Sequence, residues 1–443
     1  MTKSYIHLSD IHFGQEKGGI LVIHTDVKER LIEDVSRFVA GLPGGRTAGV
    51  IISGDIAYSG KKTEYKQAGE WLDRIAVAAH CAITDIQVVP GNHDIDRKEI
   101  SRASEWMLEE IAAKGEDILD EFLAAVRDRE MLYGRFSAYR PFAEGYDSPL
   151  DNEGGLAGDC TVKLAPGRSL RFIGLNTALI CSKRDEEGQL LLGARQRVLP
   201  ISAGEELIVV GHHPLHWLQD SEDARRYLRS RARVFISGHE HMLSVQIDEI
   251  SEDCDLMMLA AGATVPPTAD DIYKYTYNII EFDWDQGLDA LCVTVHPRTW
   301  SEEHKIFKAD TALLGGKEPK FTLGCPNFRR GSEAVESLTR EQGAADKDAV
   351  GIQRVEAMDL EMVEDEQEEA AFMSSQYPLL LLRFFRDLAP GQRMAILVRL
   401  GVLPDDWPEP LTHAIERHLL DSLKNSGRLD ELEAAIDELG KQL

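Results

Sequence analysis

Short apolar runs that end in polar residues recur along the chain up to about residue 310. Six of these runs are YIHLSD, GVIISGD, IQVVPGNHD, LRFIGLN, ELIVVGHH and VFISGHEH. Amphipathic stretches separate them, and this alternation is typical of an α/β domain. Ligands of open α/β sheets bind beyond the carboxyl ends of the strands. We therefore expect the polar endings of the six runs to converge on one crevice.

Two stretches depart from this alternation. Between Glu99 and Tyr146 apolar residues recur at helical spacing, which predicts a helical insertion at about 96–157. The insertion could cover the crevice or lie at the periphery. From Leu243 to Phe307 apolar and polar residues mostly alternate, and we expect antiparallel strands there that complete a second sheet.

The carboxy-terminal part of the chain has a different pattern. Residues 356–370, EAMDLEMVEDEQEEA, contain eight acidic residues and no basic one, a composition that resists collapse. This composition favours an acidic linker at 331–375, and a docked acidic helix is the alternative. From 376 to 443 the apolar positions have a helical period, with Pro and Gly at the breaks. We predict a small, separate all-α domain there, after a first domain that spans 1–330.

Composition and charge narrow the class of protein. The hydrophobic fraction is 43%, and no apolar run approaches the roughly 18 residues that suggest a membrane span. The amino terminus lacks a secretory signal, and the six cysteines form no C-x-x-C pair, so we expect a cytoplasmic protein with no membrane partner. The formal net charge of −27 repels nucleic acid at long range, and any polyanionic substrate must be captured locally.

The polar strand endings carry the residue types of a metal centre. Taken singly, each has an ordinary explanation: Asp10 could cap a helix, Asn92 could form a turn, and a lone histidine could be a hydrogen-bonded core residue. Two adjacent divalent cations need an anionic bridge, with nitrogen and oxygen donors to fill each shell. The endings supply both, in the order D-x-H, G-D, G-N-H-D, G-H-H and G-H-E-H, at positions 10–12, 54–55, 91–94, 211–213 and 238–241. Together they favour a metal site.

This ordered set of motifs resembles the calcineurin-like metallophosphoesterase superfamily, over residues 1 to about 310. The resemblance implies an α/β fold, a four-layer α/β/β/α sandwich of two sheets flanked by helices. It also implies two metal ions bridged by Asp55. The first would be held by Asp10, His12, Asp55 and His241, and the second by Asp55, Asn92, His212 and His239. His93 would be a catalytic histidine that faces the substrate, and Asp94 its orienting partner.

Such a site suits phosphoester hydrolysis. Two dications held by only two carboxylates leave a net positive charge, which favours a phosphate and lowers the pKa of a bridging water. The resulting metal-bridging hydroxide would attack phosphorus, and His93 would protonate the leaving oxygen. The mixed donor set favours two divalent transition-metal ions, manganese first, with iron, zinc, cobalt or nickel as alternatives to it.

Departures within the superfamily narrow the substrate. The sequences GDIAYSGKKTEY and GNHD differ from those of the protein Ser/Thr phosphatases. The spacing from Gly54 to Tyr65 is similar to the branch that contains class III cyclic-nucleotide phosphodiesterases. We expect a phosphodiesterase that acts on nucleotides or on nucleic acid, single-stranded if the insertion covers the crevice. A phosphomonoesterase and a non-catalytic binding scaffold are the alternatives.

Two further features have open interpretations. The arginines of ARRYLRSRAR, at 224–233, could clamp phosphates or form a solvated helix face that offsets nearby acids. The rings of Tyr58, His216 and Trp217 could stack on a base, and Trp217 could equally pack under the sheet edge.

The tail, with LAPGQRMAILVRLGVLPDDW and SGRLDELEAAIDEL, resembles the death-like effector-associated domains of bacterial proteins. The resemblance implies recruitment of a protein partner through this helical domain, with the acidic segment as a tether. A generic helical bundle for dimerisation is the alternative.

Overall fold

The structure is a computed structural model that describes residues 2–16, 19–151, 153–248, 255–266, 274–331, 376–407 and 411–440. Apart from Gly331, the predicted acidic linker lies outside these residues. Across the described ranges, no helix is both long enough and apolar enough to cross a membrane.

The strands form two mixed sheets. In chain order the strands are β1 (Lys3–Leu8), β2 (Gly49–Ile52), β3 (Ile86–Val88), β4 (Leu156–Ala165), β5 (Arg168–Leu175), β6 (Glu205–Val210), β7 (Ala232–Ser237), β8 (Ser244–Asp248), β9 (Leu256–Ala260), β10 (Thr276–Asp285), β11 (Ala290–Ser301), β12 (Ile306–Ala309) and β13 (Lys320–Leu323). The first sheet has the order β12-β11-β10-β1-β2-β3, with β13 beside β11, and the second has the order β4-β5-β6-β7-β9-β8.

The six apolar runs of the sequence form parallel strands in these sheets. Strands β1, β2 and β3 run parallel in the first sheet, and β5, β6 and β7 run parallel in the second. All residues of β2, GVII, and of β7, ARVFIS, are buried, as expected of strands covered on both faces.

The segment 243–307 departs in part from its prediction. Strands β8 and β9 do join the second sheet, and β8 is antiparallel to β9 as predicted, but β9 runs parallel to β7. Strands β10, β11 and β12, in contrast, extend the first sheet, because β10 pairs antiparallel with the edge of β1 that β2 leaves open. Alternation predicts a strand but does not identify the strand with which it pairs, so this part of the prediction was wrong.

The core between the sheets is aromatic. Tyr5 of β1 and Phe282 of β10 come from the first sheet, and Phe172 of β5 comes from the second. The Phe172 ring lies 5.1 Å from the ring of Tyr5 and 5.8 Å from that of Phe282, centroid to centroid. All three are at most 1% exposed, and burial of each such ring contributes about 1.5–3 kcal/mol.

The described residues also form helices. In chain order they are α1 (Gly19–Val39), α2 (Lys62–Ala79), α3 (Arg102–Lys114), α4 (Glu116–Ala124), α5 (Val126–Tyr133), α6 (Tyr139–Gly145), α7 (Ala194–Arg197), α8 (Ser221–Arg231), α9 (326–331), α10 (376–382, continued by a π-helical turn at Arg383–Asp387), α11 (Pro390–Arg399), α12 (His413–Asn425) and α13 (Leu429–Gly440). Helices α1 and α2 lie against the first sheet and α8 against β7 of the second. This is the predicted four-layer α/β/β/α arrangement.

Helices α3 to α6 occupy the predicted insertion. The first of them begins after Ser101, whose hydroxyl accepts a hydrogen bond from the Ser104 amide at 3.1 Å. Met107, Leu108 and Ile111 form its buried face, which is the helical spacing seen in the sequence.

The contacts of the chain divide it into two compact units. The first consists of Met1–Tyr139 and Ser148–Ala334, and the second of Arg140–Asp147 and Val335–Leu443. In the second unit, α10 to α13 enclose an apolar core whose fully buried members include Leu381, Leu397 and Leu420. The helical period predicted for the tail is therefore confirmed.

Candidate metal centre

The loops after the parallel strands of both sheets meet at one place. The amide of Asp10, after β1, donates to the Gly54 carbonyl after β2 at 3.1 Å. The amide of His239, after β7 of the other sheet, donates to Asp10 Oδ2 at 3.2 Å. The predicted convergence of the strand endings is therefore confirmed.

The backbone of these loops has an unusual conformation. Five of the predicted ligands have positive φ angles, a region that non-glycine residues rarely adopt: Asp10 (52°), His12 (53°), Asp55 (53°), His239 (72°) and His241 (58°). Each such residue costs about 1–2 kcal/mol. Strain of this kind is retained at functional sites, where it directs side chains that regular structure would point elsewhere.

Asp55 lies at the centre of the site. Its Oδ2 is 3.2 Å from His12 Nε2 and 3.3 Å from His212 Nε2. Its Oδ1 accepts a hydrogen bond from the His93 amide at 2.8 Å. The side chain is almost fully buried, so a carboxylate here needs positive charge nearby.

One group of donors lies on the Asp10 side of Asp55. Asp10 Oδ1 is 3.2 Å from His241 Nε2. Metal-binding atoms of Asp10, His12 and His241 all lie within 4.8 Å of one another. Asp10 Oδ2 is held by the Ser9 hydroxyl at 2.6 Å, whereas Oδ1 is buried and accepts no hydrogen bond from the described part of the chain.

A second group lies on the other side of Asp55. His212 Nε2 is 3.2 Å from Asn92 Oδ1 and 3.3 Å from His239 Nδ1. Asp10, Asp55 and His212 also have ligand atoms within 4.8 Å of one another, so the two groups overlap at the carboxylates.

His212 and His12 each form a hydrogen bond through Nδ1, so Nε2 is the ring atom that each can offer to a cation. His212 Nδ1 donates to the Ser53 carbonyl at 2.8 Å, and His12 Nδ1 donates to the Val265 carbonyl at 3.3 Å. A carbonyl only accepts, so Nδ1 carries the proton in both rings and a neutral ring presents the Nε2 lone pair. Both lone pairs then face Asp55 Oδ2. Electron-rich atoms gathered in this way need protons or metal ions between them, so this donor set fits divalent metal ions.

The pKa values of the histidines and of Asp55 indicate that protons on the imidazoles balance the carboxylate when no metal ion is bound. Burial alone would lower the pKa of His212, but the charge of Asp55 outweighs it and raises the pKa to about 9. Burial would also lower the pKa of His12, but its hydrogen bond to Asp55 and the charge of that carboxylate raise it. Burial would raise the pKa of Asp55, but the charge of His212 and the hydrogen bond from His12 hold it well below its usual value. A metal ion must therefore displace protons from the imidazoles.

Two motif glycines are needed for the close approach of the predicted ligands. A Cβ on Gly91 would lie 2.1 Å from Asp55 Oδ1. A Cβ on Gly54, whose φ is +95°, would lie 2.5 Å from His212 Nδ1. The glycines of G-D and G-N-H-D thus allow the loops to pack against the ligand side chains.

His93 lies beside the donor groups, with its ring stacked on Tyr58 at 5.2 Å and 24°. Its Nδ1 donates to the Tyr58 carbonyl at 2.8 Å, which leaves Nε2 without a proton in the neutral ring. Burial lowers the pKa of His93, despite the opposing charge of Asp55.

The prediction that Asp94 orients His93 was wrong. Asp94 Oδ1 accepts hydrogen bonds from the Ala57 amide at 2.9 Å and the Tyr65 hydroxyl at 3.0 Å, and Oδ2 accepts from the Gly91 amide at 2.9 Å. Asp94 therefore ties the G-D loop to the G-N-H-D loop. Its side chain is fully buried, and loops left without hydrogen bonds at this depth would be costly, so this structural role takes precedence.

Thr177 and His213 were not predicted as part of the site. The Thr177 hydroxyl oxygen accepts from the amides of His212 at 3.2 Å and His213 at 3.0 Å, and it lies 2.9 Å from His213 Nδ1. With its oxygen occupied as an acceptor, the hydroxyl donates its hydrogen to Nδ1. Thr177 thus fixes the loop that carries His212. The residues after LRFIGLN, one of the six runs, were the available signal.

The remaining aromatic candidates pack on the site or lie at its rim. The Trp217 ring meets that of His239 edge to face at 4.1 Å, which supports packing for Trp217. His216 Nε2 lies 2.7 Å from Glu240 Oε1, and both side chains are exposed. Glu240 is therefore a rim residue, turned away from the two donor groups.

The arginine run of α8 is largely occupied by acids. Arg225 makes two hydrogen bonds to Asp248, at 2.7 and 2.6 Å, and Arg226 lies 3.3 Å from Asp223. Arg233 is fully buried, 3.2 Å from Glu206. The ion pairs of Arg225 and Arg226 support the solvated-face interpretation of α8 over a phosphate clamp, whereas Arg233 lies in the core as part of β7.

Known proteins are similar to this chain at low identity. Among curated proteins, it is 23% identical over 325 residues to the uncharacterized metallophosphoesterase-like protein YydB of Bacillus subtilis (strain 168). The match covers 69% of this chain and only 61% of the length of YydB.

Solved structures include two similar enzymes. NAD nucleotidase of Haemophilus influenzae has a TM-score of 0.33 and 10% identity, with 84% of this chain and 61% of that chain covered. Purple acid phosphatase of yellow lupin has a TM-score of 0.36 and 11% identity, with 72% of this chain and 56% of that chain covered. Neither score is high enough to bear on activity.

Family models match both parts of the chain. The model of the GTPase-associated adaptor domain matches residues 376–438, in agreement with the resemblance inferred for the tail. The calcineurin-like phosphoesterase model matches residues 4–243, which is more than half of the chain. The chain belongs to the calcineurin-like phosphoesterase family.

Proposed function

We propose that this protein is a two-metal phosphoester hydrolase that cleaves phosphodiesters of nucleotides or nucleic acid. The observation that carries the proposal is the position of Asp55 Oδ2, which lies 3.2 Å from His12 Nε2 and 3.3 Å from His212 Nε2. A single carboxylate shared by two donor groups is what a pair of adjacent cations requires.

The donors divide into two sets in this proposal. One metal ion would be held by Asp10, His12, Asp55 and His241, and the other by Asp55, Asn92, His212 and His239. The mixture of imidazole, amide and carboxylate favours manganese, iron, zinc, cobalt or nickel over magnesium or calcium. Among these, we propose manganese first.

The charges of the site suit a phosphoester. Two dications against the two carboxylates of Asp10 and Asp55 leave a net positive site. When bound, the metal ions would supply Lewis acidity and a water of lowered pKa. The surrounding chain contributes an almost closed wall, since Asp10, His12, Asp55 and His212 are each at most 1% exposed. Low solvent access strengthens electrostatic interactions with a bound phosphate.

His93 would supply the proton for the leaving oxygen. Its Nδ1 is committed to the Tyr58 carbonyl, so Nε2 is the atom available to a substrate. Its lowered pKa makes the free ring neutral near pH 7. A bound anionic phosphodiester raises this pKa again, since an opposite charge favours the protonated form. Nε2 of the substrate complex can then act as a general acid.

The preference for diesters rests on the G-D-x-x-x-x-G-x-x-x-x-Y spacing. Its tyrosine, Tyr65, donates to Asp94 Oδ1 at 3.0 Å. Its second glycine, Gly60, has a φ of +63°, and a Cβ there would lie 2.5 Å from the backbone of Ile95. The spacing is thus tied to the loops that carry Asp55 and His93, which supports assignment to the branch that has it.

The test compares a phosphodiester and a phosphomonoester that release the same leaving group, p-nitrophenolate. With Mn²⁺, the full chain should hydrolyse bis-(p-nitrophenyl) phosphate faster than p-nitrophenyl phosphate, and Asp55→Asn should abolish both activities. Faster hydrolysis of the monoester would favour a phosphomonoesterase instead.

We propose that residues 376–443 recruit a protein partner to a catalytic domain at 1–330, through the acidic segment at 331–375. The match of 376–438 to an adaptor-domain family supports this role. A tether of that kind raises the effective concentration of the catalytic domain near whatever the adaptor binds.

A further inference from the structure

A small cavity of about 180 Å³ opens beside His93. Its lining residues are Tyr58, Ser59, Lys61, His93, Ile95, Asp96, Arg97 and Lys98. Ordinary ligand pockets are larger, about 300–1,000 Å³. The cavity therefore suits a fragment such as a phosphate group better than a whole nucleoside.

The lining is positive in a strongly acidic protein. Lys61, Arg97 and Lys98 face one carboxylate, Asp96, while the whole chain has a net charge of −27. Such a local reversal of charge focuses the field on an anion that enters the cavity.

The cations are only partly neutralised. Lys61 forms an ion pair with Asp96. Arg97 lies 3.7 Å from Asp185, a long ion pair, and its Nε is buried without a hydrogen-bond partner among the described residues. The Lys98 side chain makes no ion pair with any residue that the structure describes. Its amide donates to Asp96 Oδ1 at 2.9 Å. Asp96 thus positions Lys61 and Lys98 while it balances only one positive charge.

The cavity has a definite place relative to the proposed reaction. His93 forms part of its wall, and His93 is the proposed donor to the leaving oxygen. The leaving part of the substrate must therefore lie on this side of the metal centre.

We propose that this cavity is a subsite for a phosphate carried by the leaving group. The substrate class is then a nucleotide or oligonucleotide whose leaving fragment bears its own phosphate, in preference to a cyclic nucleotide. This inference rests on the proposed phosphodiesterase function and specifies its substrate.

The test uses thymidine dinucleotides with the Mn²⁺-loaded full chain. TpT has an uncharged leaving nucleoside on either side, pTpT adds a 5′-phosphate and TpTp adds a 3′-phosphate. One of the two phosphorylated compounds should have a kcat/KM at least about tenfold above that of TpT, since a charged contact of this kind is worth that factor. Which one responds identifies the leaving side. The trinucleotide TpTpT separates the sources, because it offers an internal diester in place of the terminal phosphate.

Variants locate the effect. Arg97→Ala combined with Lys98→Ala should reduce the preference for the phosphorylated dinucleotide to near unity. Lys66→Ala, which removes an exposed lysine of α2 outside the cavity, should retain the preference. Equal rates for TpT, pTpT and TpTp would overturn the subsite, as would a preference that survives the double variant. Failure of the proposed function looks different, because neither TpT nor the nitrophenyl diester would then be hydrolysed.

Discussion

The first compact unit and the helical region formed by α10 to α13 bury different kinds of residue. The first unit buries polar side chains at the ends of apolar strands. Four of them are at most 1% exposed: Asp10, His12, Asp55 and His212. The helical region buries leucines such as Leu381, Leu397 and Leu420. Among its described residues it also buries Arg393 and Glu416, and the Arg393 guanidinium donates to Glu416 at 2.8 Å.

The difference teaches which buried polar groups indicate chemistry. Arg393 and Glu416 form an ion pair at 2.8 Å, so their charges balance without a ligand. Asp10 Oδ1 faces His241 Nε2 at 3.2 Å, and the Nε2 atoms of His12 and His212 both face Asp55 Oδ2, so imidazoles and carboxylates converge without a fixed positive charge between them. Imidazole and carboxylate groups that converge in this way suit a bound cation, whereas a buried pair of opposite charges balances itself.

The largest effect should come from Asp55→Asn. The amide keeps the shape of the side chain but cannot bridge two cations, so both metal ions and at least about 10⁴-fold of turnover should be lost. Metal analysis and kcat for bis-(p-nitrophenyl) phosphate measure this. Asp26→Asn, at an exposed position of α1, is the control and should retain both. An Asp55→Asn protein that keeps its metal ions and its activity would show that Asp55 does not bridge two cations.

His93→Ala should separate chemistry from metal binding. A nucleoside leaving oxygen needs a proton, whereas p-nitrophenolate leaves without one, so TpT hydrolysis should fall about 10²–10³-fold and the nitrophenyl diester should lose much less. Metal content should stay unchanged. His304→Ala, at an exposed histidine, is the matched control. Equal losses on both substrates would mean that His93 does not act as a general acid.

Thr177→Val tests the support of the centre. Valine keeps the volume and removes the hydroxyl that holds the amides of His212 and His213. Loss of such an outer contact should weaken Mn²⁺ affinity about 10–100-fold, as measured by titration of the metal-free protein. Thr161→Val, at an exposed position of β4, should leave the affinity as it is. Unchanged affinity in Thr177→Val would show that the loop needs no such support.

The smallest effect should follow removal of the helical region. A chain that ends at residue 375 should hydrolyse the nitrophenyl diester with a kcat/KM close to that of the full chain, because every proposed ligand lies in the first unit. A large loss would mean that the helices help to build the site, and the two regions would not be functionally separable.

The convergence of the proposed ligands could be predicted from sequence because each follows a strand end. Asp10, Asp55 and His212 are local signals, and parallel strands bring such endings together. Contacts set by long-range packing could not be predicted in this way. The pairing of β10 with β1, the role of Thr177 and the loops joined by Asp94 depend on residues that are far apart in the chain. Asp94 also shows that neighbours in a motif need not be partners in space.

The central claim is that two metal ions share Asp55 and support diester hydrolysis. The most direct measurement is the rate of bis-(p-nitrophenyl) phosphate hydrolysis as Mn²⁺ is titrated into the metal-free full chain. We predict that turnover rises with loading and reaches its plateau at two ions per chain. A plateau at one ion, or no turnover with two ions bound, would contradict the account.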